Sequence, residues 1–225
     1  MRVLIVFATS YEAEILDKIE GMIPGEEGYR FCNIIISKLV TGVGGISTAW
    51  AMKQWLCNNP SPGLAINAGI AGSFSDKILK GDVVMPVSDC FADLGIEAGD
   101  RILTLDEAGL MDPDKYPFEA GYIHSRNKFV DTIENNLPKV KGITVNTCSG
   151  SAATIERLKI RFNPDIETME GATFFYICAR ERIPFMSVRA ISNKVEPRNK
   201  DSWDIPLALK NLTIKMKELL LIINE

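Results

Sequence analysis

The strongest constraint on this chain is the regular exchange of short, apolar, β-branched runs with helix-length amphipathic stretches. Residues 3–8 open the series and are apolar on both faces, which suits a strand inside a sheet covered from both sides. Ser10 can cap a helix predicted over 11–21, with Glu12 and Glu14 in its first turn, where carboxylates suit the helix dipole. A turn at 24–28 leads into a strand over 30–40, and the glycine-rich stretch 41–45 (TGVGG) opens a helix over 46–57. Pro60, Pro62 and Gly63 break the chain before a second buried strand, 64–68, which is expected to end in a loop at 69–73. The alternation continues with strands at 82–89, 142–147, 166–169 and 185–191. Helices are expected at 127–137, 152–161, 170–182 and 204–223. Residues 91–121 are irregular, and a stretch of that length in a compact domain is usually functional or mobile. Strands alternating with helices predict an α/β fold. The expectation is one domain over 1–225, a three-layer α/β/α sandwich with a mixed, largely parallel central sheet.

Composition removes several function classes. The chain has 225 residues, 46% of them hydrophobic, enough to bury a core without staples. Its net charge of -4, from 25 basic and 29 acidic residues, carries no nucleic-acid footprint. The five cysteines (Cys32, Cys57, Cys90, Cys148, Cys178) are odd in number, scattered and never in C-x-x-C, which reads as buried thiols in a reducing compartment. His124 is the only histidine, so a clustered zinc site is not expected and a Ser-His-Asp or Cys-His device would have to use it. No metal and no cofactor are expected. The first apolar run is too short for a signal segment and meets Glu12 and Glu14 at once. No stretch approaches the ~20 apolar residues of a membrane span. A cytoplasmic protein with neither a membrane nor a nucleic-acid partner is expected.

In such sheets ligands bind beyond the carboxyl ends of the strands. TGVGG (41–45), NAGIAGS (67–73) and SGSAAT (149–154) fall there, and their backbone N–H groups could approach an anion or a sugar hydroxyl. G-x-G-x-x-G fails at Ser47, and no G-x-x-x-x-G-K-[ST] occurs, so neither a dinucleotide fingerprint nor a phosphate loop is present. Glu170, in ETMEG, sits where a short apolar strand enters a helix; by position alone it is an ordinary helix-N-terminal carboxylate. Asn193, at the end of the strand VRAISN, is by itself an ordinary turn residue.

Together, GVGG, NAGIAGS followed by GDVV, ETMEG and VRAISN resemble the purine nucleoside phosphorylase and methylthioadenosine/adenosylhomocysteine nucleosidase superfamily over nearly the whole chain. Thr168-Met169-Glu170-Gly171 and Arg189-Ala190-Ile191-Ser192-Asn193 are the most specific pieces. FADLGIEAGD (91–100) and SNKVEPRNKDSW (192–203) are similar to the futalosine hydrolase family. The resemblance implies a nucleoside phosphorylase-like fold and an N-glycosyl hydrolase that releases hypoxanthine from futalosine in menaquinone biosynthesis. It implies that Glu170, beside Thr168 and Met169, holds the ribose hydroxyls. Glu12 would activate the attacking water, with Glu14 the alternative if the loop is slipped. Ser192 and Asn193 would meet the purine, Thr147 and Cys148 would offer backbone groups to it, and Gly72 and Ser73 would belong to the substrate loop. Phe91, Asp93, Arg198 and Trp203 are candidates for gripping the carboxybenzoyl tail of futalosine. A homodimer is implied as well.

Two departures matter. Adenine-releasing nucleosidases carry an aspartic acid where this chain has Asn193; an amide cannot protonate N7, but it can donate to a 6-oxo group and accept from N7–H. Bacterial phosphorylases place a phosphate-binding arginine where this chain has Asn67, which favours water over phosphate. The rivals are a 6-oxopurine nucleoside phosphorylase, an adenine-releasing nucleosidase, and a nucleoside-binding protein without activity.

Overall fold

The alternation of apolar side chains along the first strand sets the layers. The computed structural model describes residues 1–26, 28–99, 101–133 and 136–224. In the first half the elements are β1 (Arg2–Phe7), α1 (Ser10–Ala13), α2 (Ile15–Lys18), β2 (Ile23–Gly25), β3 (Gly28–Phe31), β4 (Ile34–Val40), α3 (Gly45–Asn58), β5 (Leu64–Ser73) and β6 (Val83–Asp89). There follow β7 (Gly95–Ala98), β8 (Arg101–Thr104), β9 (Ile123–His124), α4 (Lys128–Thr132), β10 (Lys139–Thr144), α5 (Ala152–Phe162), β11 (Ile166–Thr168), α6 (Gly171–Arg180), β12 (Phe185–Lys194) and α7 (Ile205–Asn224). Successive side chains of a strand point to opposite faces. Val3, Ile5 and Phe7 therefore pack with α2 and α7, through Ile15, Leu16, Leu212 and Met216. Leu4 and Val6 pack with α3 and α6, through Met52, Phe174, Phe175 and Cys178. The expected three layers, with one mixed sheet between helices, are present. Among the described residues no helix is long and apolar enough to cross a membrane.

The main sheet runs β11-β10-β6-β12-β5-β1-β4-β3-β2, and β9 pairs with β6. β1 is parallel to both β4 and β5, and β12 is parallel to β5. The hairpin strands and the β12–β6 pair are antiparallel. Opposite its parallel pairing with β10, β11 also pairs antiparallel with β5, Ile166 with Ser73 and Glu167 with Gly72. That pairing closes β5, β12, β6, β10 and β11 into a ring at one end of an otherwise open sheet. Closure of this kind is a non-local property with no period in the sequence.

Several local expectations change. The helix expected over 11–21 breaks into α1 and α2, and Thr9 rather than Ser10 is its cap, because Glu12 completes a capping box with Thr9. The strand expected over 30–40 is a hairpin of β3 and β4, turning at Cys32 in the left-handed region (φ 50). Residues 69–73 are strand, not loop, because β12 and β11 pair with this stretch of β5 from its two sides. The helix expected over 127–137 shortens to Lys128–Thr132, capped by the Asn127 side chain, and residues 134–135 of that expectation lie outside the described residues. The 91–121 stretch contains the β7–β8 hairpin. Cys90 and Cys178 are buried thiols as expected, Cys148 is half-buried, and Cys32 and Cys57 are exposed.

Candidate active site

The carboxyl ends of β1, β5 and β11, with the far end of β12, surround a cavity of about 320 Å³. Glu12, Gly72, Cys148, Thr168, Met169, Glu170, Ser192, Asn193 and Trp203 all line it. Residues from opposite ends of the chain thus meet in one place.

Glu12 is buried and oriented by its own capping box. Its Oε2 accepts from the Thr9 amide at 2.9 Å and the Thr9 hydroxyl at 2.8 Å. Its Oε1 accepts from the Ile70 amide on β5 at 3.1 Å. Beside it lies Arg189, which is 1% exposed. A Cβ at Gly69 would stand 2.6 Å from Glu12 Oε1 and 2.7 Å from Arg189 Nη1, so a side chain there would collide with both groups. A buried guanidinium needs partners. Its Nε donates to Ser187 Oγ at 3.2 Å, and its Nη2 donates to Asn67 Oδ1.

Glu170 stands at the N-cap position of α6 without capping it. The first amides of α6 are instead satisfied from neighbouring strands: Gly171 N donates to Thr168 Oγ1 (3.2 Å) and Ala172 N to Thr144 Oγ1 (2.7 Å). This leaves the Glu170 carboxylate free to turn into the cavity, where Oε1 accepts from the Gly44 amide at 2.9 Å. Burial pushes its pKa up, the Arg189 guanidinium and the Gly44 amide pull it down, and Glu12 raises it again. Behind it, Thr144 Oγ1 donates to Asp89 Oδ1 at 2.8 Å. Asp89 Oδ2 is buried with no hydrogen-bond partner, and burial raises the Asp89 carboxyl to about 7.

The opposite wall is built by a bulge in β12, where the register slips between Ile191 and Asn193. Bulges re-aim side chains, and here Ser192 and Asn193 both reach the cavity. Ser192 Oγ donates to Asn193 Oδ1 (2.8 Å), and Asn193 Nδ2 donates to the Lys194 carbonyl (3.0 Å). Cys148 Sγ and Met169 Sδ are 3.4 Å apart. Glu167 also lines this wall, accepting from Ser149 N at 2.9 Å and from Ser149 Oγ. Burial raises its pKa against those two bonds.

Ser73, Phe91, Asp93, Thr147 and Arg198, and the alternative Glu14, lie outside the cavity lining. Ser73 is buried, but its hydroxyl is spent on the Ser75 backbone. Thr147 is exposed and outside the cavity lining. Phe91 bridges Thr144 and faces a second cavity of about 960 Å³ beneath the β7–β8 hairpin. Arg198 is exposed, with its amide donating to the Gly150 carbonyl at 3.1 Å. Asp93 is also engaged, accepting from the Asn146 amide and side chain. Arg189, Asn67, Thr9, Asp89 and Glu167 were not singled out as site members from the sequence, except that Arg189 was weighed as a strand-end pair and Asn67 as a phosphate-site departure. For Arg189, Asn67, Asp89 and Glu167 the signal is a charged or amide group interrupting an otherwise buried strand; Thr9 has the T-x-x-E spacing of a capping box.

Residues 2–225 match the family model described as Phosphorylase superfamily. A futalosine hydrolase of Streptomyces coelicolor is 28% identical over 180 residues, covering 78% of this chain and 74% of its own. A 5'-methylthioadenosine/S-adenosylhomocysteine nucleosidase of Psychromonas ingrahamii is 26% identical over 238 residues, covering 98% of each. The native structure of a futalosine hydrolase of Helicobacter pylori superposes with a TM-score of 0.75 at 16% identity, covering 98% of this chain and 97% of that one.

Proposed function

The chain belongs to the phosphorylase superfamily, and we propose that within it the protein is a cytoplasmic nucleosidase that hydrolyses the N-ribosidic bond of futalosine. The products would be hypoxanthine and dehypoxanthine futalosine, in menaquinone biosynthesis. One observation carries the hydrolytic reading: two buried carboxylates, Glu12 and Glu170, meet at the cavity, each held by a backbone amide. Cleavage of the bond builds positive charge on the ribose, so a carboxylate near the sugar and another able to take a proton from water are the groups required. In this scheme Glu170 receives the ribose hydroxyls. Glu12 takes the proton of the attacking water, and Arg189 favours the ionised form of Glu170. Asn193 receives the departing base, donating to the 6-oxo group through Nδ2 and accepting from N7–H through Oδ1. Trp203 covers the cavity mouth against the tail of the substrate.

Water rather than phosphate is supported by the state of the cation. Among the described residues Arg189 is the one buried positive group, and Asn67 already occupies its Nη2. The named nucleosidase relative keeps an adenine-releasing reading in view; Asn193 argues against it. A homodimer is supported by an exposed apolar strip, Val43, Ile46 and Trp50, at the start of α3 beside Gly44.

The test is base release from futalosine, inosine, methylthioadenosine and adenosylhomocysteine, with and without phosphate. Phosphate-independent hypoxanthine release is expected, strongest from futalosine. Adenine release alone, or a strict need for phosphate, would overturn the reading.

A further inference from the structure

Asp89 is a buried carboxyl that the scheme above leaves without a task. It ends β6, and Thr144 and Thr168 end β10 and β11. These strand ends meet the start of α6. A Cβ at Gly171 would collide with Asp89 Oδ2 and stand 2.8 Å from Thr168 Oγ1, and one at Gly142 would stand 2.8 Å from the same Asp89 oxygen. Two glycines thus open a slot for this carboxyl, although among the described residues its Oδ2 has no hydrogen-bond partner there. A buried oxygen left unpaired costs stability, but the other oxygen has a use.

Asp89 Oδ1 accepts the hydrogen of the Thr144 hydroxyl at 2.8 Å. A hydroxyl has one hydrogen and two lone pairs, so Thr144 Oγ1 is left to accept, and it takes the Ala172 amide at 2.7 Å. Ala172 is the second residue of α6, and its amide is one that an N-cap side chain ordinarily takes. The N-cap residue is Glu170, whose carboxylate goes instead to the Gly44 amide in the cavity. Thr144, held by Asp89, caps the helix in its place.

We propose that Asp89 is a positioning residue for Glu170: by orienting the Thr144 hydroxyl it keeps the first turn of α6 capped and the Glu170 carboxylate turned toward the ribose. The proposal rests on the reading of Glu170 as the group that receives the ribose hydroxyls. Asp89 does not line the cavity and acts only through its neighbours. Without its acceptor the Thr144 hydrogen is no longer held away from α6, and the Ala172 amide competes for the Glu170 carboxylate.

The test compares futalosine with its 2′-deoxy analogue, which lacks one hydroxyl that Glu170 would receive. Wild-type protein should prefer futalosine. Asp89→Ala should lower kcat/KM for futalosine by about 10- to 100-fold and for the deoxy analogue by no more than about threefold, so the preference narrows. Asp89→Asn keeps an acceptor for Thr144 and should restore the preference to within about threefold of wild type. Thr144→Val keeps the shape of its residue and removes the hydroxyl; it should narrow the preference as Asp89→Ala does, and it carries the test should the alanine variant fail to fold. Equal losses on both substrates would make Asp89 a general support for the sheet and overturn the proposal, as would an undiminished preference in Thr144→Val. A wild type that does not distinguish the two substrates overturns the role given to Glu170 and this proposal together. A wild-type preference that survives Asp89→Ala overturns this proposal alone.

Discussion

Two hollows among the described residues differ in kind. The larger, about 960 Å³, lies under the β7–β8 hairpin and is walled by Phe91, Ile102, Leu105, Phe118, Phe162 and Tyr176. Its Arg161 is already paired with Glu107 at 2.6 Å. The smaller, about 320 Å³, has buried carboxylates whose partners are backbone amides and hydroxyls rather than cations. Volume and chemistry have separated. A carboxylate held by amides stays oriented and keeps lone pairs for a ligand, whereas an ion pair satisfies both members. The candidate site is placed in the smaller hollow because the five-strand ring brings three strand ends together there.

The comparison can be broken by substitution. Glu12→Gln should have the largest effect, lowering kcat for base release by about 10³-fold if Glu12 is the base for water; single-turnover assays would show it, and near wild-type turnover would move the role to Glu14 or elsewhere. Glu170→Gln should cost about 10²-fold in kcat/KM, read with the same substrate, because a neutral amide cannot stabilise charge on the ribose. Replacing Asn193 by Asp should shift preference toward adenine nucleosides by about tenfold or more; an unmoved ratio of hypoxanthine to adenine release would remove Asn193 from base selection.

A smaller effect concerns stability. Asp89 titrates at about 7 in the folded protein against 3.8 for the free group. The folded state thus holds the proton more tightly, so stability declines as pH rises from about 4 to 7 and levels off above that, by up to about 4 kcal/mol. Asp89→Asn should flatten this slope in urea titrations at pH 5 and 8, and an unchanged slope would refute the assignment. The smallest effect belongs to the larger hollow: Phe91→Ala should leave kcat/KM for futalosine within about threefold. A large rise in KM there would instead join the two hollows into one site.

Much of this was legible along the chain. β1, α3, β6, α5, α6 and α7 follow from apolar periodicity to within a few residues, because that signal is local. Thr168-Met169-Glu170 and Ser192-Asn193 were legible as motifs, and the structure brings them to one cavity with Glu12. The helix expected over 11–21 is broken at Glu14, which closes α1 and opens α2, a break that the apolar pattern does not mark. Residues 69–73 were misread because glycines that look like a loop can lie in a strand when both neighbours pair with it.

What the sequence by itself determined is the α/β class, the order of the main strands and helices, and the glutamates, serine and asparagine at strand ends. Only the tertiary structure decided that β11 also pairs with β5, that Asn67 engages Arg189, that Phe91 faces away from the site, and that Glu167 and Asn193 share Gly72. The physical reason is register. Which face a residue takes is set by its neighbours in the chain, but which residue it meets across a sheet is set by pairing between segments far apart in sequence, and no local period encodes that.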